Sequence, residues 1–382
     1  MKRSRTLTLV ALGALLLAAP AADAAKRTVP FGFHSVNFGS EIVQAPDATQ
    51  DAQWARVASS GAESARVPFS WAEAQPTPGA VDLHTTDRLV SQSAAHGVRL
   101  LPVVVTTPPW ARRDAAKGGS PPRKASDYIA FLDLLVRRYG PNGTLWSERP
   151  DLPKRPVREW QIWNEPHFRE YWDASRWERG YHELLRASYK RLKQLDSGSV
   201  VVFGGVTGAA WEILERYYEK RGDDRRAYDV MAIHPYTRLP SGIPKIVRRT
   251  REAMRAHGDK SVPLWLTEFG WSASKGRVEA PKAIRGIQVS DKGLAERLEQ
   301  GFEELARARK DSSTRVERAY WYTWSSSYDA SIANQVVSIF SFSGLVRFAG
   351  GVAEEKPALA AYARSAKRYQ GCTKTDLGRC AK

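Results

Sequence analysis

The sequence predicts a single α/β domain, a (β/α)8 barrel, on three observations. Eight short β-like runs alternate with eight amphipathic helical stretches, the order expected of a parallel sheet with helical crossovers. The chain is 382 residues long, which accommodates one such barrel. No Gly-x-Gly-x-x-Gly follows the first strand, which argues against an open sheet that binds a dinucleotide. There is no internal repeat beyond the strand–helix rhythm and no linker that would mark a second domain. With 42% hydrophobic and 26% charged residues, the composition is that of a globular protein and excludes wholesale disorder.

Taken in order, the chain opens on a segment that reads as a signal. Lys2, Arg3 and Arg5 precede the apolar run Leu7–Ala19, and Ala22-Asp23-Ala24 has the small-x-small pattern of a cleavage site. Residues 1–24 are therefore expected to be removed and the remainder secreted, with no membrane span left, since the apolar run is shorter than a span needs. Strands are predicted at Phe31–Val36, Ser64–Phe69, Arg99–Thr106 and Glu159–Trp163, then at Val200–Gly204, Val230–His234, Pro263–Thr267 and Arg318–Thr323. Helices are predicted at Asp51–Ser59, Thr86–His96, Ala125–Tyr139 and Trp177–Gln194, then at Trp211–Lys220, Ile243–His257, Leu294–Lys310 and Lys356–Tyr369. The barrel domain so defined covers residues 28–369. The tail, 370–382, carries both cysteines, Cys372 and Cys380. In an exported protein this pair is expected to form a disulfide that pins the tail. Two thiols without neighbouring histidines make a zinc site a poor reading.

The net charge is +17, from 58 basic and 41 acidic residues. An excess of this size favours adsorption to an acidic or cell-wall glycan, or to nucleic acid. The basic clusters Arg137-Arg138, Arg248-Arg249 and Arg307–Lys310 are scattered, however, and no nucleic-acid motif accompanies them. They read better as solvated helix faces, and no specific nucleic-acid partner is expected.

In a barrel of this kind the loops after the strands form the reactive face. Strand four runs into Trp163-Asn164-Glu165-Pro166-His167, and strand seven into Thr267-Glu268-Phe269-Gly270-Trp271. Pro166 cannot extend a central strand and pushes Glu165 away from helical geometry. Alternation alone would point Asn164 and Glu165 to opposite faces, so the backbone has to leave strand geometry there. Strands four and seven lie on opposite sides of the barrel, so two inward glutamates could flank one sugar unit. Glycoside hydrolysis with retention needs two carboxyl groups about 5–5.5 Å apart, one neutral and one charged. Arg66 after strand two and Tyr236 after strand six are placed to keep one of them ionised. Trp110, Trp271 and Trp324 offer flat apolar surfaces for pyranose rings. The long segments Trp271–Lys292 and Ser325–Glu355 both follow strands and are candidates for shaping specificity.

These motifs resemble those of the clan A glycoside hydrolases. Trp163-Asn164-Glu165-Pro166 is similar to the clan's acid/base motif and Thr267-Glu268-Phe269-Gly270 to its nucleophile motif. Arg66, His234-x-Tyr236 and Trp324 match further clan positions. The loop Thr107-Pro108-Pro109-Trp110-Ala111, and Gly344-Leu345 with Lys356-Pro357-Ala358, are similar to the family 39 and family 5 branches. The resemblance implies a retaining O-glycosyl hydrolase acting on an oligo- or polysaccharide without metal or cofactor. It implies Glu165 as acid/base, Glu268 as nucleophile and Asn164 as the ligand of the sugar 2-hydroxyl. His34 on strand one is a further, less specific match to a subsite position. A monomer is expected. The alternative from another class is a carbohydrate-binding barrel without catalytic activity.

Overall fold

The structure, a computed structural model, describes residues 27–222, 225–328, 337–349 and 352–371. The predicted leader and the two cysteines lie outside the described residues. Eight strands form one parallel sheet: β1 (His34–Asn37), β2 (Ser64–Ser70), β3 (Arg99–Val105), β4 (Glu159–Ile162), β5 (Val200–Val202), β6 (Met231–Ile233), β7 (Leu264–Phe269) and β8 (Val316–Trp321). Their hydrogen-bonded order is β5-β4-β3-β2-β1-β8-β7-β6. The parallel bridge Val202–Val230 brings the two ends of this order together and closes the ring. The fold is a single (β/α)8 barrel, as the alternating pattern predicts.

A long helix follows each strand: α1 (Asp47–Ser59), α2 (His84–Ala95), α3 (Ala125–Tyr139), α4 (Trp177–Leu195), α5 (Ala210–Lys220), α6 (Ile243–Ala256), α7 (Asp291–Ala308) and α8 (Pro357–Gln370). Each buries one face against the barrel. On α3, Tyr128, Phe131, Leu132, Leu135 and Val136 recur at helical spacing and are buried, while Asp133 and Arg137 on the other side form an i,i+4 ion pair. Ser290 caps α7 by accepting from Gly293 N–H at 3.1 Å. Pro357 opens α8, where a missing N–H costs nothing. Among the described residues no helix is long and apolar enough to cross a membrane.

The barrel interior is unusually polar. At the N-terminal end of the strands, Glu159 on β4 meets Arg318 on β8 through both carboxylate oxygens, one contact at 2.7 Å. The Arg318 guanidinium also lies 3.9 Å over the Trp265 ring. Tyr320 links this layer to Ser64 at 3.2 Å. One layer higher, Gln161 on β4 reaches Thr267 on β7 and Arg66 on β2. The interior is thus cross-braced by hydrogen bonds between opposite strands, and the aliphatic core lies mostly between strands and helices. The carboxylates Glu63 and Glu159 are tied up at the closed end, Glu63 by Arg27 at 2.6 Å and by Gly32 N–H at 2.6 Å.

A small three-stranded sheet, not foreseen from the sequence, sits over the reactive rim. It is made of β9 (Ser325–Ser326), β10 (Val346–Ala349) and β11 (Val352–Glu355). Gly344 allows this turn: a Cβ there would lie 2.0 Å from Ser326 N. Lys356, buried, donates to Phe342 O at 2.8 Å and faces Asp291 at 3.2 Å. Burial pushes its pKa down to about 8, opposed by Asp291. The Gly344-Leu345 and Lys356-Pro357-Ala358 matches therefore form the clasp that closes this sheet.

Replacing Arg318 by Ala leaves Glu159 buried with only the half-exposed Arg99 for a partner. We expect a loss of about 3 kcal/mol in urea unfolding, because an uncompensated buried charge is the costly state. An Arg318→Met/Glu159→Leu pair should recover most of that loss, and a single variant as stable as the parent would refute the cross-brace.

Candidate active site

The site is built where β4 gives out. The strand ends at Ile162, and the next residues turn sharply: Trp163 has φ 67° and Glu165 φ 43°. Both are left-handed conformations in residues other than glycine, each costing about 1–3 kcal/mol. The surroundings hold them there. Trp163 N–H donates to Val104 O at 3.0 Å, and Glu165 N–H to Gly204 O at 2.8 Å. The Trp163 indole, fully buried, donates to Tyr171 O at 2.9 Å and closes the loop. Tyr181 on α4 donates to Ile162 O and accepts from Gly204 N–H, fixing the ends of β4 and β5 to each other. This corner is the departure from strand geometry that Asn164 and Glu165 require to face one site together.

Glu268 is the second acid. It stands near the end of β7, still within the strand, and both of its oxygens are held. Oε1 accepts from Arg66 Nη1 at 2.7 Å and Oε2 from the Tyr236 hydroxyl at 2.9 Å. Burial would raise the Glu268 pKa. Against it act His234, with Nδ1 3.7 Å from Oε2, then Arg66 and the Tyr236 hydrogen bond, and the net shift is downward. Glu268 is thus kept ionised. The folded state favours its charged form, so the stability this group contributes is present above the ordinary carboxylate range and is lost as pH falls through the lowered value.

Glu165 is held differently. Its Oε1 pairs with His234 Nδ1 at 2.6 Å, and His234 Nε2 pairs with Thr267 Oγ1 at 2.9 Å. Gly205, at φ +78°, makes room for that ring: a Cβ there would lie 2.4 Å from His234 Nε2. A carboxylate oxygen of Glu165, one of Glu268 and a ring nitrogen of His234 all lie within 4.8 Å of one another. Three such atoms could in geometry hold a cation. The guanidinium 2.7 Å from Glu268 supplies positive charge there already and disfavours one.

Arg66 ties both halves into one network. It donates to Gln161 Oε1 at 2.6 Å, to Asn37 Oδ1 at 2.7 Å and to Asn164 Oδ1 at 2.7 Å, besides Glu268. Gln161 Nε2 donates to Phe203 O at 2.9 Å and to Thr267 Oγ1 at 3.3 Å. With Gln161 donating to it, the Thr267 hydroxyl is free to donate to His234 Nε2. The imidazole then presents an N–H to the Glu165 carboxylate. Glu268, with Arg66 and Asn164, opens into a cleft of about 410 Å³, walled by Thr106, Tyr171, Tyr322, Phe340 and a group of serines.

Of the residues singled out in the sequence, Arg66, Asn164, Glu165, His234, Tyr236 and Glu268 are brought together here. The other four are not. His34 faces the helix layer: its ring stacks on Phe302 at 4.2 Å, its Nε2 meets Ser365 at 3.0 Å, and burial lowers its pKa to about 3. Alternation along β1 turns Asn37, three residues on, into the site instead. Trp324 is fully buried and donates to Gln53 Oε1 at 3.1 Å. Trp271 is buried and donates to Thr237 O at 2.8 Å. Trp110 packs edge-on against Trp71 at 5.6 Å, donates to Gln75 O at 3.0 Å, and does not line the cleft. Tryptophans beside a reactive rim are here the packing that supports it. Of the two long segments, Ser325–Glu355 supplies cleft residues, whereas none of Trp271–Lys292 lines the cleft; the two meet where Ala273 N–H donates to Phe342 O. Sequence reasoning missed Asn37, Gln161, Thr267 and Tyr171. Only Asn37 left a signal, as a polar residue ending strand one.

No family model matches the chain, and neither does the sequence of any curated protein. Solved structures do match. A family 39 glycoside hydrolase from the gut symbiont Bacteroides cellulosilyticus WH2 superposes with TM-score 0.64 at 18% identity, over 89% of this chain and 64% of that one. A monomeric beta-xylosidase from Caulobacter crescentus CB15 gives 0.62 at 19% identity, over 88% and 69%. A family 1 beta-glucosidase from Thermotoga maritima gives 0.61 at 12% identity, over 90% and 99%. The chain thus spans less than two thirds of the first of these. At such identities the likeness is one of fold, the (β/α)8 barrel that these glycoside hydrolases share with this chain.

The placement of Trp324 is testable. Trp324→Ala is expected to lower the unfolding free energy by about 3–5 kcal/mol, the cost of emptying a core site of that size. Chemical denaturation reads it, and an unaltered midpoint would return Trp324 to the cleft.

Proposed function

We propose that the chain is a retaining glycoside hydrolase, with Glu268 as nucleophile and Glu165 as acid/base. The observation that carries the reading is the unequal treatment of two carboxylates within 4.8 Å of each other. One is clamped ionised by a guanidinium and a phenol, and the other is bound only to an imidazole that can exchange a proton. Their separation leaves no room for a water between an attacking base and the sugar, and favours direct attack.

In the first step a Glu268 oxygen bonds to the anomeric carbon as the bond to the leaving oxygen breaks. Glu165 gives its proton to that oxygen, which departs as an alcohol. In the second, water attacks the same carbon from the vacated side, its proton passes to Glu165, and the ester to Glu268 breaks. His234 can serve Glu165 in both states. It donates Nδ1–H to the carboxylate, or accepts from the acid with its proton moved to Nε2, the Thr267 hydroxyl turning to suit. Asn164, oriented by Arg66 at its oxygen, has its amide N–H groups left for a sugar hydroxyl. The substrate is an oligo- or polysaccharide, with hydrolysis of a β-linkage the natural fit to the beta-glycosidases that share the fold. Export through the leader, the Cys372–Cys380 disulfide and a monomeric state complete the proposal.

Glu268→Gln should abolish turnover of an activated aryl β-glycoside without unfolding the protein. Azide should restore part of the rate to Glu165→Ala on a good leaving group. Proton NMR of the first-formed product should show retained configuration; inversion would refute the assignment. A folded protein that binds oligosaccharide but hydrolyses none would instead favour the binding-only barrel.

Tyr236→Phe removes one of the donors that lower the Glu268 pKa. The acid limb of the kcat/KM profile should therefore move to higher pH. A limb that stays put would mean that Tyr236 does not hold the nucleophile.

A further inference from the structure

The net charge of +17 invites an acidic substrate, yet the cleft itself is built for an uncharged one. Among the described residues that line it, Arg66 is the single cation, and four of its five N–H donors are committed to Gln161, Asn37, Asn164 and Glu268. The remaining polar lining is neutral: Asn37, Thr106, Ser325, Ser327, Ser338 and Ser341. Hydroxyls and amides both donate and accept, which suits sugar hydroxyls and gives a carboxylate no countercharge. The apolar lining combines Val67, Pro68, Val103 and Val105 with the rings of Phe38 and Phe340, and Phe340 lies 5.8 Å from the Tyr322 ring. Rings so placed suit the C–H faces of a pyranose. Arg347, in register with Ser326 beside the cleft, is not among the lining residues and is paired with Glu354 at 2.6 Å.

We infer that the sugar bound against Glu268 is a neutral pyranoside, and that the site discriminates against the corresponding uronide. The inference rests on the glycosidase reading and names its substrate class. A uronate carboxylate in this cleft would stand near the ionised Glu268, with no unpaired cation among the described lining residues to receive it. The positive surface acts over a different range. At physiological salt its field decays within about 8 Å, so it can gather an acidic polymer around the molecule without admitting its charged units to the cleft.

The test is a set of aryl β-glycosides in matched pairs, glucoside against glucuronide and galactoside against galacturonide, with the xyloside as a third neutral member. The best neutral substrate should exceed its uronide in kcat/KM by roughly 100-fold, the scale of one uncompensated like charge near the nucleophile. The ratio should persist in high salt, where surface attraction is screened. A uronide turned over as fast as its neutral partner would overturn the inference while leaving the glycosidase assignment intact. Ser327→Arg, a cation added at the exposed part of the wall, should narrow the ratio by roughly tenfold. If no aryl glycoside is turned over, calorimetric binding decides, using oligogalacturonides and their methyl esters in high salt. Preference for the esters upholds the neutral cleft and sinks only the catalytic reading; preference for the acids, or binding of neither, sinks the inference.

Discussion

The structure depends on one buried guanidinium. Arg66 sits at the top of the barrel interior with acceptors on β1, β4 and β7 and on the loop after β4. Three chain segments far apart in sequence are set relative to one another by its planar fork, which fixes direction as well as distance. Taking that charge out of water is tolerable because Glu268 balances it and neutral oxygens fill its remaining directions. The same bond that anchors the scaffold holds one carboxylate ionised. Structural support and chemical tuning are here a single interaction.

The second carboxylate is freed by strain rather than clamped by charge. Two successive departures into left-handed geometry, at Trp163 and Glu165, aim a side chain that regular alternation would have sent elsewhere. The indole of Trp163 and the phenol of Tyr181 hold that corner from behind. His234 then gives Glu165 a hydrogen-bonding partner, where Glu268 has a guanidinium. Because Gln161 and Thr267 connect His234 back to Arg66, the two acids belong to one hydrogen-bonded unit with two different ends.

Much of this was legible in the sequence, for identifiable reasons. The eight strands and eight helices follow from alternation and amphipathic spacing, and Glu165, Glu268, Arg66 and Tyr236 follow from standing at strand ends on the reactive side. What was not legible depends on contacts across the barrel. Gln161 and Thr267 look like ordinary polar residues until their strands are found facing each other. His34 was misplaced because a one-residue uncertainty in the phase of a short strand exchanges the interior for the helix layer. The tryptophans misled for a related reason: Trp271 and Trp324 stand next to reactive residues in the chain, but their neighbours along the backbone point the other way. The sheet β9–β11 escaped notice because its strands are two to four residues long and depend on the clasp at Gly344 and Lys356.

That clasp has an evolutionary consequence. The serine-rich wall belongs to one continuous stretch that leaves the barrel at Trp324 and rejoins it at Lys356, with its two ends stitched together by Leu345 N–H to Trp324 O and Lys356 N–H to Leu345 O. Among the described residues, none that tunes the two acids lies within it. Such a stretch can be lengthened, shortened or exchanged as a cassette, so lineages built on this scaffold could diversify their diet while inheriting the reaction unchanged.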